Sequence, residues 1–143
     1  MEQEAIFIPF LGMQLLTLLV WCILFARRTS YMSQKNIAPQ DLISPEKVAE
    51  LIPEHVAAPG NNFKNLFELP VLFYGLCLYL YVSSLVDTGY IVAACVFLAF
   101  RTLHSLVHCT YNNVMHRFVV YLISSLALWY LVIRASFQLI SSF

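Results

Sequence analysis

Three groups of polar side chains interrupt otherwise apolar runs of this sequence, and each is spaced to share one face of a helix. Asn61, Lys64, Asn65 and Glu68 fall at i, i+3, i+4 and i+7; Arg101, His104 and His108 at i, i+3 and i+7; Arg117, Tyr121 and Ser124 at i, i+4 and i+7. Cations in such sets can hold anions, a carboxylate can hold an ammonium, and imidazoles can bind metals or hydrogen-bond. Simpler readings stand beside these. Lys64 and Arg117 taken singly are headgroup anchors, Glu68 with Arg101 is an interhelical ion pair, and either histidine is a hydrogen-bonded interior group. His104 and His108 at i, i+4 with Glu68 opposite sketch a metal site, but zinc or iron wants about three or four such ligands. His55 and His116 complete no set, so no metal is expected.

The elements that carry these groups must be membrane helices. The 143 residues are 60% hydrophobic, 15% aromatic and 11% charged, against roughly 45–50% apolar and about 25% charged in soluble domains. Mean hydropathy is +0.74. Disorder and collagen-like repeats are excluded by the apolar content and the few glycines and prolines. A net charge of +0 and a pI near 6.9 offer no field for capturing nucleic acid. The sixteen charges leave four apolar stretches, about 5–26, 63–86, 90–108 and 117–140, each long enough to cross the ~30 Å hydrocarbon core as a helix. Ionisable residues at that depth mark a functional site by default. The fold class is therefore all-α, an integral membrane four-helix bundle in a single domain spanning 1–143.

Residues 27–62 form the one extended polar segment and hold eight of the sixteen charges. Ser44-Pro45-Glu46-Lys47 predicts a helix start, with Ser at the N-cap and Pro at the first helical position. Pro59-Gly60 predicts a break before the second span, and Asp87-Thr88-Gly89 a tight turn between spans two and three. Arg27, Arg28, Lys35 and Lys47 in the first connection and Arg117 in the third are expected on the cytoplasmic side. Connections 27–62 and 109–117 are then cytoplasmic. Both termini, of which the first carries only Glu2 and Glu4, are non-cytoplasmic. All three polar sets then lie toward the cytoplasmic leaflet, where one cluster assembled from three helices is expected. Depth counting offsets Glu68 from Arg101 by ~10 Å, so Glu68 is expected to meet His104, His108 or a neighbouring subunit at least as readily as Arg101. Cys22, Cys77 and Cys95 read as small apolar residues within spans, and Cys109 as a bystander on a reducing side.

Four spans, a polar first loop, Asn65-Leu66-Phe67-Glu68 followed by Pro70, then Arg101, His104, His108, Arg117 and Tyr121 together resemble the MAPEG family, the membrane-associated proteins in eicosanoid and glutathione metabolism. The resemblance covers essentially the whole chain. It implies a homotrimer in membrane lipid, with glutathione as co-substrate bound between subunits near the cytoplasmic side. On that likeness Asn65 and Glu68 contact the peptide backbone and amino group of glutathione, and Lys64 occupies a position that is often arginine. Arg101 helps hold a carboxylate, and Arg117 and Tyr121 are the catalytic pair beside the thiol. Asn61, His104 and His108 complete the glutathione-binding set, Asn61 standing where several members have arginine and His108 where they have tyrosine. The implied activity is a glutathione-dependent transferase or peroxidase acting on a lipophilic small molecule, an electrophile or lipid hydroperoxide. The alternative is a non-catalytic lipid-binding or accessory membrane subunit, since a fold does not guarantee chemistry.

Overall fold

The computed structural model describes residues 3–141; Glu2, used above for orientation, lies outside them. Among the described residues every regular element is helical. A 3-10 turn, Gln3–Ile6, leads into α1, Phe7–Lys35, and a second, Pro39–Leu42, precedes α2, Pro45–Leu51. The rest are α3, Glu54–Asn65; α4, Leu69–Val82; α5, Thr88–Cys109; and α6, Val114–Ile140. Among the described residues four stretches are long and apolar enough to cross a membrane: Gln3–Lys35, Glu54–Val82, Thr88–Cys109 and Val114–Ile140.

Two boundaries differ from the sequence expectation for physical reasons. The first helix does not stop at Arg27-Arg28, because arginine is a good helix former and charge alone ends no helix. It runs to Lys35, where Asn36 turns left-handed at φ 53° and Ile37 N–H bonds back to Met32 O at 3.0 Å. Pro59-Gly60 does not break the chain either; both lie inside α3. Pro59 has no N–H for the carbonyl four residues back, that of His55, and Arg27 Nη1 donates to this carbonyl instead at 3.4 Å. Gly60 serves close packing, since a Cβ there would sit 3.3 Å from Leu24 on α1. The interruption comes at residues 66–68, where Pro70 is tolerated only within the first turn of a new helix. The Ser44 expectation holds: its Oγ accepts from Lys47 N at 3.3 Å, opening α2.

The most extensive pairing is between α5 and α6, whose buried Ala94, Ser124, Ser125 and Ala135 let the backbones approach. Met13, Leu16 and Val20 of α1 close over Phe73, Cys77 and Leu80 of α4, Phe97 of α5 and Leu128 and Leu131 of α6. Phe73 stacks on Phe97 with ring centroids 4.5 Å apart. Leu11, Leu15, Leu18, Leu126 and Ile133 point outward, a surface suited to lipid rather than water.

At one end of the bundle the polar groups satisfy one another. Asp87 caps α5 by accepting from Tyr90 N at 3.0 Å and takes two bonds from Arg134, at 2.9 and 2.5 Å. The Arg134 guanidinium lies 4.2 Å from the Tyr90 ring centre, and Tyr90 OH donates to Gln138 Oε1 at 2.5 Å. Gln3 exchanges two bonds with the Val86 backbone, at 2.9 and 3.1 Å, tying the N-terminal turn to the second connection. The Arg134 hydrogen bonds hold the Asp87 carboxyl below the usual carboxylate range.

Candidate functional site

The other end is built around the return of α5 into α6. Asn112 takes a left-handed turn at φ 52°, and Asn113 caps α6 by accepting from His116 N at 3.1 Å. This connection is short, so α6 runs back along α5 and the polar faces of the two helices meet. The structure brings Arg101, His104 and His108 of α5 together with Arg117, Tyr121 and Ser124 of α6. His104 and Tyr121 ring centroids are 5.7 Å apart, and those of His104 and His108 5.5 Å.

Within this cluster the donor and acceptor chemistry fixes the imidazoles. His104 Nδ1 lies 3.2 Å from the Arg117 carbonyl, which only accepts, so Nδ1 carries the proton and Nε2 is a bare acceptor. Arg117 Nη1 lies 2.7 Å from His108 Nε2, and a guanidinium only donates, so the His108 proton is on Nδ1. Arg117 Nη1 also donates to Asn112 Oδ1 at 2.8 Å. Ser124 Oγ returns to the Tyr121 carbonyl at 2.7 Å.

Arg101 is fully buried, and none of its three guanidinium nitrogens has a hydrogen-bond partner among the described residues. Its guanidinium carbon sits 4.9 Å from the Tyr121 ring centre and 5.6 Å from that of Phe97. Aromatic faces soften the charge but offer no acceptor geometry. His104 Nε2 and His108 Nδ1 are likewise buried without a partner. Unmatched groups of this kind are rare in folded interiors, since each costs about 1–3 kcal/mol or more. Here three neighbouring residues carry them.

The second-span set is placed differently. Asn61 and Lys64 face out of α3 into a groove of about 430 Å³ that they share with Arg28, Ser44 and Val48. Arg28, expected above only as a cytoplasmic loop cation, has its Nε buried there without an acceptor among the described residues. Asn65 is half-buried, and Glu68 is exposed at the start of α4. Among the described residues no hydrogen bond or ion pair joins Glu68 to Arg101, His104 or His108. In the single chain, then, two helices converge rather than three. The break at residues 66–68 and the apolar stripe Val56, Pro59 and Leu66 turn the Asn61–Lys64 face outward.

The inward polar residue of α3 is instead Asn62, fully buried. Its amide donates to Cys109 Sγ at 3.5 Å and accepts from Ser105 Oγ at 3.4 Å. The signal for it was its place within that same apolar stripe. Among the described residues no three or more His, Cys, Asp or Glu side chains come together. Apart from His104 Nε2 the unmatched groups of the cluster are donors, suited to an anionic or strongly polar ligand in a largely apolar wall.

A sequence model of the MAPEG family matches residues 6–137. No curated protein and no solved structure gives a significant match. The family match reaches into all four spans and includes every residue of the converged cluster, so the chain belongs to the MAPEG family and is a multi-pass integral membrane protein.

Proposed function

We propose that this protein is a glutathione-dependent transferase or peroxidase acting on lipophilic electrophiles or lipid hydroperoxides, and that it works as a homotrimer whose subunit interfaces complete the site. The observation that carries the reading is Arg101: a fully buried guanidinium with no acceptor, beside two histidines each with an orphaned ring nitrogen. A ligand bearing carboxylates supplies the acceptors that Arg101 and His108 Nδ1 lack, and a donor on the same ligand meets His104 Nε2. The residues fit glutathione, whose two carboxylates and one ammonium call for several cations and an anion. Arg101, Arg117 and Lys64 are the cations and Glu68 the anion. Glu68, Asn61 and Lys64 lie on outward faces of the protomer, where a neighbouring subunit's cluster brings them into play.

Glutathione, when bound, supplies the thiol. The chain does the rest. Arg101 grips a carboxylate in ground and transition states alike. Arg117, only partly buried and held through Nη1 alone, keeps its other nitrogens for stabilising a thiolate, the nucleophilic form. Tyr121 adds a hydroxyl near the same place, and an acceptor substrate reaches the site laterally from lipid. The cation-bearing connections share one end of the bundle, since Asn112 Nδ2 donates to Glu54 Oε1 at 3.0 Å. That placement supports a cytoplasmic site with both termini on the far side.

One observation favours the second reading, a lipid-binding or accessory subunit. An apolar groove of about 160 Å³ runs between α1 and α5, lined by Leu16, Val20, Ile23 and Leu106 with Arg27 among its lining residues. The test is steady-state turnover of the purified protein with glutathione and an aromatic halide or lipid hydroperoxide. Turnover lost in Arg117→Ala is expected; no turnover by well-folded wild type leaves the accessory reading. Mass measurement in mild detergent tests the trimer, and a monodisperse monomer or dimer would overturn it.

A further inference from the structure

We propose that Asn112 and Glu54 are positioning residues that aim Arg117 at the reacting sulfur, a role that rests on the reading of Arg117 given above. Neither residue belongs to the three polar sets. Arg117 Nη1 is held between Asn112 Oδ1 at 2.8 Å and His108 Nε2 at 2.7 Å. Asn112 in turn donates through Nδ2 to Glu54 Oε1 at 3.0 Å, across 58 residues of sequence. Its amide orientation is forced, because Arg117 only donates and the Glu54 carboxylate only accepts. The clamp thus joins the first residue of α3, the turn between α5 and α6, the end of α5 and the first turns of α6.

The chemistry calls for an amide at this position. Asparagine accepts from the cation and donates to the anion at once, so Glu54 steadies Arg117 without pairing with it. An aspartate in the same place would pair with the guanidinium directly and repel Glu54. Glu54 also polarises the amide and strengthens Oδ1 as an acceptor. Both clamp bonds fall on Nη1, and no hydrogen bond among the described residues engages Nη2 or Nε. The guanidinium is therefore fixed at one corner and free along the remaining edge, the arrangement a pre-organised charge needs.

Asn112 also sits at φ 52°, a conformation asparagine tolerates well, so the purely conformational role must be separated from the clamp. Asn112→Gly does this, since glycine keeps the left-handed turn and removes only the amide. In the full-length protein, Asn112→Gly should lower kcat about tenfold with the KM for glutathione within about twofold, and Glu54→Gln about threefold. In an Arg117→Ala background, Asn112→Gly should cause no further fall. Unchanged kcat in Asn112→Gly while Arg117→Ala is impaired overturns the proposal, as does an equal further loss in the Arg117→Ala background. The clamp itself is read independently by NMR of isotope-labelled arginine. A slowly exchanging Arg117 guanidinium signal should be present in wild type and lost in Asn112→Gly. Should Arg117→Ala keep full turnover, the reading of Arg117 fails. Loss of the signal in Asn112→Gly then still supports the clamp, and its persistence overturns it.

Discussion

Asp87 and Arg134 at one end of the bundle, and Arg101 with its two histidines toward the other, are both buried or half-buried polar groups on α5 and α6, yet they are treated in opposite ways. Arg134 gives Asp87 two hydrogen bonds and lies on Tyr90, whose hydroxyl is bonded to Gln138. Arg101 is buried more deeply, and its guanidinium has no hydrogen-bond partner among the described residues. A chain that folds on its own merits matches its polar groups as the first end does. Groups left unmatched cost stability and persist where something else completes them, on the function proposed above a ligand or a second subunit. The first end holds the fold together; the second holds a site open.

Substitutions should therefore act in opposite directions at the two ends. The largest effect is expected at Arg117, where Arg117→Ala should lower kcat on the order of 10²-fold with little change in thermal stability. Next comes a paired test. Arg101→Met should raise the KM for glutathione about tenfold while leaving Tm unchanged or higher, because it removes an uncompensated buried cation. Arg134→Met should do the reverse, lowering Tm and sparing KM, because it strips Asp87 of its partner. Lowered Tm in Arg101→Met with an unaltered KM would dissolve the contrast.

The cap at Asp87 gives a smaller stability effect with a pH signature. Asp87→Ala should destabilise by about 1–2 kcal/mol, the usual loss for an N-cap carboxylate. Because the Arg134 hydrogen bonds lower its folded-state pKa, its contribution is full above the ordinary carboxylate value of about 4 and fades as pH falls through the lowered one. Unfolding curves of wild type and variant should converge in acid and separate at neutral pH. Tyr121→Phe should be the mildest change, a loss of about threefold in kcat, since it removes one supporting hydrogen bond. A loss as large as that of Arg117→Ala would move the principal chemistry to the hydroxyl.

Much of this arrangement was legible before any coordinates. The gaps between sixteen charges bound the spans, and the Arg101 and Arg117 sets converge because a short connection joins their helices. Ser44 announced its helix by a local rule that needs no tertiary context. Two kinds of feature stayed hidden. Where several local outcomes compete, sequence alone picks wrongly: Pro59-Gly60 looked like a break, but Arg27 takes the freed His55 carbonyl and Gly60 admits Leu24. Where contacts are long-range and polar they leave no periodic trace. Asn62 sits one residue off the conspicuous Asn61 stripe, and the Glu54–Asn112 bond links two segments that both read as loop. The outward placement of Lys64 and Glu68 was hidden for a related reason, since a face that is polar by spacing does not say which neighbour it faces.

The most direct test of Arg101 as a site group is a thermal unfolding series with increasing glutathione, run on wild type and Arg101→Met. Binding to the folded state alone adds about 2.7 kcal/mol at a hundredfold excess over Kd. Wild-type Tm should therefore climb with concentration, while Arg101→Met should need about tenfold more glutathione to reach the same rise. A flat wild type, or an Arg101→Met variant that climbs equally, would contradict the assignment of this unmatched cluster to the thiol ligand.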